Sequence, residues 1–412
     1  MTTFRDLYKK VLSAYADDEN TIIKNLEDYD YDHLDCLLYP EKHPLIWQID
    51  KCDCDHHDKA NCIGSCMFKA LSHDGDKIKI DNQLCVGCEA CLEACQSKKL
   101  VSSKDIIPAL KAIIGNEKLS YALIAPAFLG QFSDEVTPGK LRNALKAIGF
   151  DGVIEVSLFA DILTLKEALE FNKNIVTEKD YQLTSCCCPI WIAMIRRIYK
   201  ELIPHVPPSV SPMIASGRAV KQLHPDCLTV FIGPCIAKKA EAKEADVKGA
   251  IDYVLTFQEV KDIFEAMNID PANMIESEKD HSSKAGRIYA YTGGVSEAVA
   301  ATLNRLNPDH PIKIKTQQAD GVIACKALIE KLGKGEINAN FYEGMGCVGG
   351  CVGGPKAIID KESGKANVET YGQQAQYATP IDNPYVIEML YQLGFDTVES
   401  LLEDSEILTR HF

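Results

Sequence analysis

Apolar residues recur at helical spacing in FRDLYKKVLSAY (residues 4–15) and NTIIKNLEDYD (residues 20–30), which predicts a short helical lead-in. From about residue 120 short β-rich runs alternate with amphipathic stretches. YALIA and GVIEV read as strands, TPGKLRNALKAIG and DILTLKEALEF as helices. Thr137-Pro138 is a helix start with proline at the first helical position, and Gly149 stops that helix. LTVFIG, IDYVLT, RIYAY and IKIKT supply further strand candidates, and SEAVAATLNRL and VIACKALIEKL further helices. NPYVIEMLYQLGF and VESLLEDSEIL read as two closing helices. The pattern is α/β, with no repeat of fixed period and no low-complexity tract.

Composition sharpens this picture through one residue type. The 412 residues are 46% apolar, enough for a sizeable core, yet they include 17 cysteines. No run reaches the roughly 18 to 20 apolar residues that span a bilayer, and MTTFRDLYKK lacks the apolar centre of a secretory signal. The expectation is therefore a cytoplasmic protein without membrane contact, whose thiols bind metal or do redox chemistry. A net charge of −15 with no dense Lys/Arg run argues against a nucleic-acid partner.

Eight cysteines lie between Cys52 and Cys95, eight more from Cys186 to Cys351, and Cys36 stands alone. CVGCEACLEACQ spaces Cys85, Cys88, Cys91 and Cys95 as a bacterial ferredoxin run does, with Gln96 in place of the usual proline. Such a run needs a second one, and CDCDHHDKANCIGSC provides it. The expected pairing is crossed: Cys52, Cys54, Cys62 and Cys95 hold one 4Fe-4S cluster, and Cys85, Cys88, Cys91 and Cys66 the other. A structural zinc using CDCDHH is the alternative. The eight thiols complete two cubanes without His56 or His57, which read as solvated.

Three later motifs, TSCCCPIW, GPCIAKKAE and EGMGCVGGCVGG, combine cysteine with proline and glycine in a way that an ordinary core does not need. Cys235 follows a strand and precedes a helix, a position that suits an anionic cluster. The glycines around Cys347 and Cys351 let backbone approach a bulky inorganic ligand. Cys227 and Cys325 read as plain buried thiols.

In this order, after ferredoxin-type runs, the three motifs resemble those of the iron-iron hydrogenases over roughly residues 50–375, and the triple cysteine resembles a less-studied subgroup. The resemblance implies an α/β fold in which a catalytic domain with mixed α/β halves (106–375) follows a helical lead-in (1–50) and a ferredoxin-like two-cluster domain (51–105), with a helical tail (376–412). It implies an H-cluster: a 4Fe-4S cubane on Cys188, Cys235, Cys347 and Cys351, with Cys351 bridging to a di-iron unit bearing carbon monoxide, cyanide and azadithiolate. The implied reaction joins two protons and two electrons into hydrogen. The implied partners are hydrogen and protons, a ferredoxin or similar electron carrier, and di-iron maturation proteins.

Aligning on Cys-Pro-x-Trp makes Cys187 the proton-carrying thiol, whereas aligning on Thr184-Ser185 makes it Cys186. Glu167 and Glu170, three apart on one helix, match the family's outward proton route; the bland reading is a solvated face. Pro207 stands where the family has a relaying serine, with Ser209 and Ser211 near. Lys238 matches the residue that hydrogen-bonds a cyanide, with Glu241 as its ion-pair partner and Lys239 at the surface. Met345 matches the thioether against the di-iron unit. Ala125, Pro126, Pro212, Met213 and Pro234 match its walls. Gly233 and Ser296 replace methionines, implying a more open or more polar pocket. A hydrogen sensor of low turnover, an iron-sulfur assembly or scaffold protein, and a plain electron-transfer protein are the rival readings.

Overall fold

A computed structural model describes residues 2–16, 28–52, 54, 61–74, 77–115, 117–184, 187–277 and 281–412. The helical expectation for residues 20–27 and the positions of His56, His57 and Cys186 lie outside them.

In the first hundred residues β1 (Ile46–Gln48) pairs antiparallel with β4 (Leu100–Ser102), and β2 (Leu71–Asp74) with β3 (Lys77–Ile80). The helix Phe4–Ala16 buries Leu7, Val11 and Leu12, positions spaced for one helical face. Beyond them, β5 (Ser120–Ile124), β6 (Gly152–Glu155), β8 (Leu228–Gly233) and β9 (Tyr253–Thr256) form a parallel sheet in the order β6-β5-β8-β9. A second parallel sheet has the order β10-β11-β7, from β7 (Gln182–Leu183), β10 (Thr316–Asp320) and β11 (Phe341–Met345). Parallel strands need crossovers, and helices provide them. The fold is α/β, as the alternation of periods predicts.

The helix Pro138–Ile148 starts and stops as expected: the Thr137 hydroxyl accepts from Lys140 N–H and Gly149 closes the end with φ +127°. The helix Ser157–Asn174 is buried all round from Ser157 to Phe171, as a helix enclosed by neighbours must be. It packs against the helices Lys284–Arg287, Gly294–Leu306 and Pro212–Leu223.

Three expected elements differ. RIYAY is a helical turn, Lys284–Arg287, followed by the 3-10 turn Ile288–Ala290. Asp161 decides this, because its buried carboxylate accepts from Ser283 N–H at 2.6 Å and Gly286 N–H at 2.7 Å. A Cβ on Gly286 would lie 2.0 Å from the Ser157 carbonyl oxygen, so that backbone contact, not strand propensity, sets the conformation. IKIKT contributes only Thr316 to a strand; the paired segment is the polar TQQAD, a half-exposed sheet edge without an apolar signal. VESLLEDSEIL yields only the 3-10 turn Glu399–Leu402. The chain beyond it turns back to pair with residues 208–210, where Val210 N–H donates to Leu408 O at 3.0 Å.

Lys239 corrects the expectation of a surface residue. It is buried, with Nζ 3.0 Å from Glu259 Oε1 and 3.0 Å from Ser103 O. Glu259 also completes a capping box with Thr256 at the start of the helix Phe257–Ala266. This ion pair ties the segment leaving β4 to the large sheet. Glu259→Ala leaves the buried ammonium only Asp105 Oδ2 at 3.7 Å as a carboxylate partner, and should cost about 3 kcal/mol as read from urea unfolding. A loss below about 1 kcal/mol would show that the pair holds nothing together.

Candidate functional site

The large sheet ends where β8 runs into Gly233, Pro234 and Cys235, and the helix Ala237–Glu241 follows. That is the carboxyl edge of a central strand, where open α/β sheets place their ligands. Pro189 opens the helix Pro189–Arg197 directly after Cys188. Trp191, fully buried in that helix, donates its indole N–H to Thr184 O at 3.3 Å and so fixes the loop on the other side of the cysteines. β11 delivers Met345, fully buried, and then Cys347 and Cys351 around Gly349 and Gly350, whose φ values of +86° and +84° suit glycine.

These elements bring Cys188, Cys235, Cys347 and Cys351 within electrostatic reach of one another. Burial pushes the Cys235 thiol up to about 12 and Cys351 to about 11, with the neighbouring sulfurs adding to the effect; Cys347 is pushed well above the usual thiol range for the same reasons. Thiols raised in this way do not ionise beside one another in a dry site unless a metal takes the charge. Cys188 Sγ already accepts from Gly346 N–H at 3.1 Å. Lys238 Nζ is 2.7 Å from Glu241 Oε2, both buried, and its ammonium lies within electrostatic reach of Cys235 and Cys351. The residues fit an anionic metal cluster.

The walls fit unevenly. Ala125 is buried at the end of β5, and a Cβ on Gly233 would stand 3.1 Å from its methyl. Pro126 opens the 3-10 turn Pro126–Phe128, and Pro234 O accepts from Lys356 N–H at 3.0 Å. Pro212 and Met213 are buried at the start of a helix capped by Ser211. Ser296 gives the pocket no free hydroxyl, because it donates to Glu343 Oε2 at 2.7 Å. Glu343, fully buried and not anticipated from the sequence, also accepts from Gly293 and Ser296 N–H at 2.8 Å each. Its place two residues before Met345 was the available signal. Cys227 and Cys325 are buried, and Cys325 Sγ donates to Met345 O at 3.3 Å beside Cys188.

The earlier cysteines gather in two further groups. Cys66, Cys85, Cys88 and Cys91 influence one another, with burial pushing Cys85 up to about 11 and Cys91 to about 12. Cys52, Cys54, Cys62 and Cys95 form the other group, in which Ser97 Oγ lies 3.5 Å from both Cys52 Sγ and Cys95 Sγ. Ser97 had no motif to reveal it. Among the described residues no three Cys, His, Asp or Glu side chains close on a single-ion site. The first group faces the later thiols: Cys88 lies within electrostatic reach of Cys347, and Gly87, at φ +69°, rests against the Ile236–Ala237 backbone, where a Cβ would be 3.1 Å away. Lys356 Nζ bonds Glu89 at 2.8 Å across the same junction.

Glu167 and Glu170 are buried, so a solvated face is excluded. Glu170 Oε1 is 2.7 Å from Lys166 Nζ, and burial raises the Glu170 pKa in spite of that cation. Gln182 Nε2 donates to Glu167 O at 3.4 Å. Cys187 is half-buried just before Cys188.

Residues 118–355 match the family model described as "Iron only hydrogenase large subunit, C-terminal domain". The chain belongs to this family. Iron hydrogenase 1 of Clostridium pasteurianum is 28% identical over 60% of this chain and 50% of its own length. The NADP-reducing hydrogenase subunit HndD of Solidesulfovibrio fructosivorans is 26% identical over 78% of this chain and 65% of its own. The chain thus spans half to about two thirds of these two relatives. Cytosolic iron-sulfur assembly component 3 of Rattus norvegicus is also similar, 22% identical over 77% of this chain and 80% of its own. Among solved structures, a variant of the FeFe-hydrogenase HydA1 from Chlamydomonas reinhardtii shares the fold with a TM-score of 0.62 and 21% identity, over 75% of this chain and 98% of that one.

In this member of the iron-only hydrogenase large-subunit family Gly344 lets Trp191 pack on β11, since a Cβ there would lie 2.1 Å from the indole. Gly344→Ala should displace Trp191 and the Cys188 loop with it. About four of roughly twelve irons should be lost, leaving those of the earlier cysteines. Full iron content with unchanged tryptophan fluorescence would contradict this.

Proposed function

We propose that the protein is an iron-iron hydrogenase that interconverts two protons and two electrons with hydrogen. The observation that carries this reading is the convergence of Cys188, Cys235, Cys347 and Cys351 at the sheet edge, beside the buried Lys238–Glu241 ion pair. A cubane needs the four thiols; a buried ammonium beside them suits a further anionic ligand. When bound, the di-iron unit linked to that cubane supplies an open metal position for protons and hydrogen. Lys238 would orient that unit, and Met345 would pack against it with a soft thioether.

Cys187 hands protons from Glu167 and Glu170 toward the site, and the raised pKa of Glu170 brings it nearer to the working pH of a relay. Pro207 cannot pass a proton. Gln182 Oε1 and Thr184 Oγ1 are buried without hydrogen-bond partners among the described residues, and the Gln182 amide lies against Glu167 O. Such orphans mark places for ordered water, which replaces the missing serine. The two earlier thiol groups hold accessory 4Fe-4S clusters in a ferredoxin-like domain (51–105) and relay single electrons from a ferredoxin-type carrier in the cytoplasm to the catalytic domain (106–375). The iron-sulfur assembly reading rests on relatives of that kind that cover most of this chain. The buried Lys238 beside the four thiols favours the hydrogenase reading over a scaffold.

The test is hydrogen evolution from a reduced viologen after anaerobic loading of the di-iron cofactor. Turnover is expected, and Cys187→Ser should lose roughly 10²- to 10⁴-fold with its iron intact. Full activity in that variant would transfer the role to Cys186, and no turnover in protein carrying every cubane would favour the assembly reading.

A further inference from the structure

Glu241 faces more than Lys238. It lines a cavity of about 10 Å³, enough for one water, together with Ser209, Ser211, Glu244, Arg410 and Phe412. Ser209 is fully buried, and its Oγ has no hydrogen-bond partner among the described residues. Arg410 is also buried; its Nη2 contacts Glu244 and lies 3.2 Å from Asp246 Oδ1, while Arg196 Nη1 reaches Glu244 at 2.6 Å. The Phe412 ring sits 5.4 Å from the Arg410 guanidinium and 5.7 Å from that of Arg196. Backbone pairing holds all of this in place: Ser209 bridges Thr409, and Arg410 N–H donates to Pro208 O at 3.3 Å.

A carboxylate offers about four acceptor positions, and Lys238 occupies one of them on Glu241. In a dry site the remaining positions must be met by donors, or the charge is costly. The unmatched Ser209 hydroxyl and the buried Arg410 guanidinium, whose Nε also lies 2.6 Å from Asp246 Oδ2, line the same one-water cavity as that carboxylate. We propose that Arg410 and Ser209, acting through one water, are positioning residues that hold Glu241 and thereby fix the Lys238 ammonium. This rests on the reading of Lys238 as the residue that meets the di-iron unit. Cys188 and Cys235 are fixed by their own loops, whereas Lys238 depends on a strap drawn from near residue 410. No motif in the sequence connects the two.

The test uses the full chain carrying its cubanes, titrated anaerobically with a synthetic di-iron azadithiolate complex bearing carbon monoxide and cyanide. Arg410→Gln and Ser209→Val should each weaken uptake on the order of tenfold and shift the cyanide stretching bands, as loss of an outer partner does at other metal sites. Arg410→Lys should recover part of the affinity. Ser209→Ala removes only the hydroxyl, and decides the matter if Arg410→Gln does not fold. If Lys238→Ala weakens uptake while folded Arg410→Gln and Ser209→Ala bind and absorb like the parent, the inference is overturned. If Lys238→Ala itself binds normally, the reading of Lys238 fails instead.

Discussion

Sulfur buried away from water is the constraint on which this structure depends. Twelve thiols stand in three groups, and in the group at the sheet edge burial and mutual repulsion push Cys235, Cys347 and Cys351 far from ionisation. Metal ligation resolves this, and the backbone prepares for it with Gly346 N–H on Cys188 and with glycines at positive φ on the way to Cys351. The charge of a bound cluster is then met from the protein side by Lys238. Because that lysine is buried, Glu241 must be buried with it.

The same constraint shapes how the first hundred residues attach. The proposed relay of single electrons would need its stations close together, and Gly87 allows the Cys85–Cys91 loop to rest directly on the backbone after Cys235. Lys356 and Glu89 span the contact, and Lys239 with Glu259 anchors the segment that follows β4. Both ion pairs are largely shielded from solvent, so they resist salt better than surface pairs would.

Much of this was legible in the sequence because it is written in local signals. Thr137, Pro138 and Gly149 mark a helix, and the spacing of the cysteines marks their groups. What was not legible depends on distant partners. RIYAY carries strand propensity but bends to the Asp161 carboxylate, more than a hundred residues earlier. Lys239 looks like any surface lysine until Glu259 is placed against it. Ser296 reads as a polar pocket residue until Glu343 takes its hydroxyl. The tail, read as a helix from its apolar spacing, instead pairs its backbone with residues 208–210, and Arg410 just beyond it meets Glu244 and Asp246.

The most direct measurement of the central claim is infrared spectroscopy of the anaerobically matured protein with and without hydrogen. Carbon monoxide and cyanide stretching bands that move when hydrogen is admitted are the predicted result, since no protein group absorbs there. Protein that carries all its cubanes and shows no such bands after maturation would contradict the account.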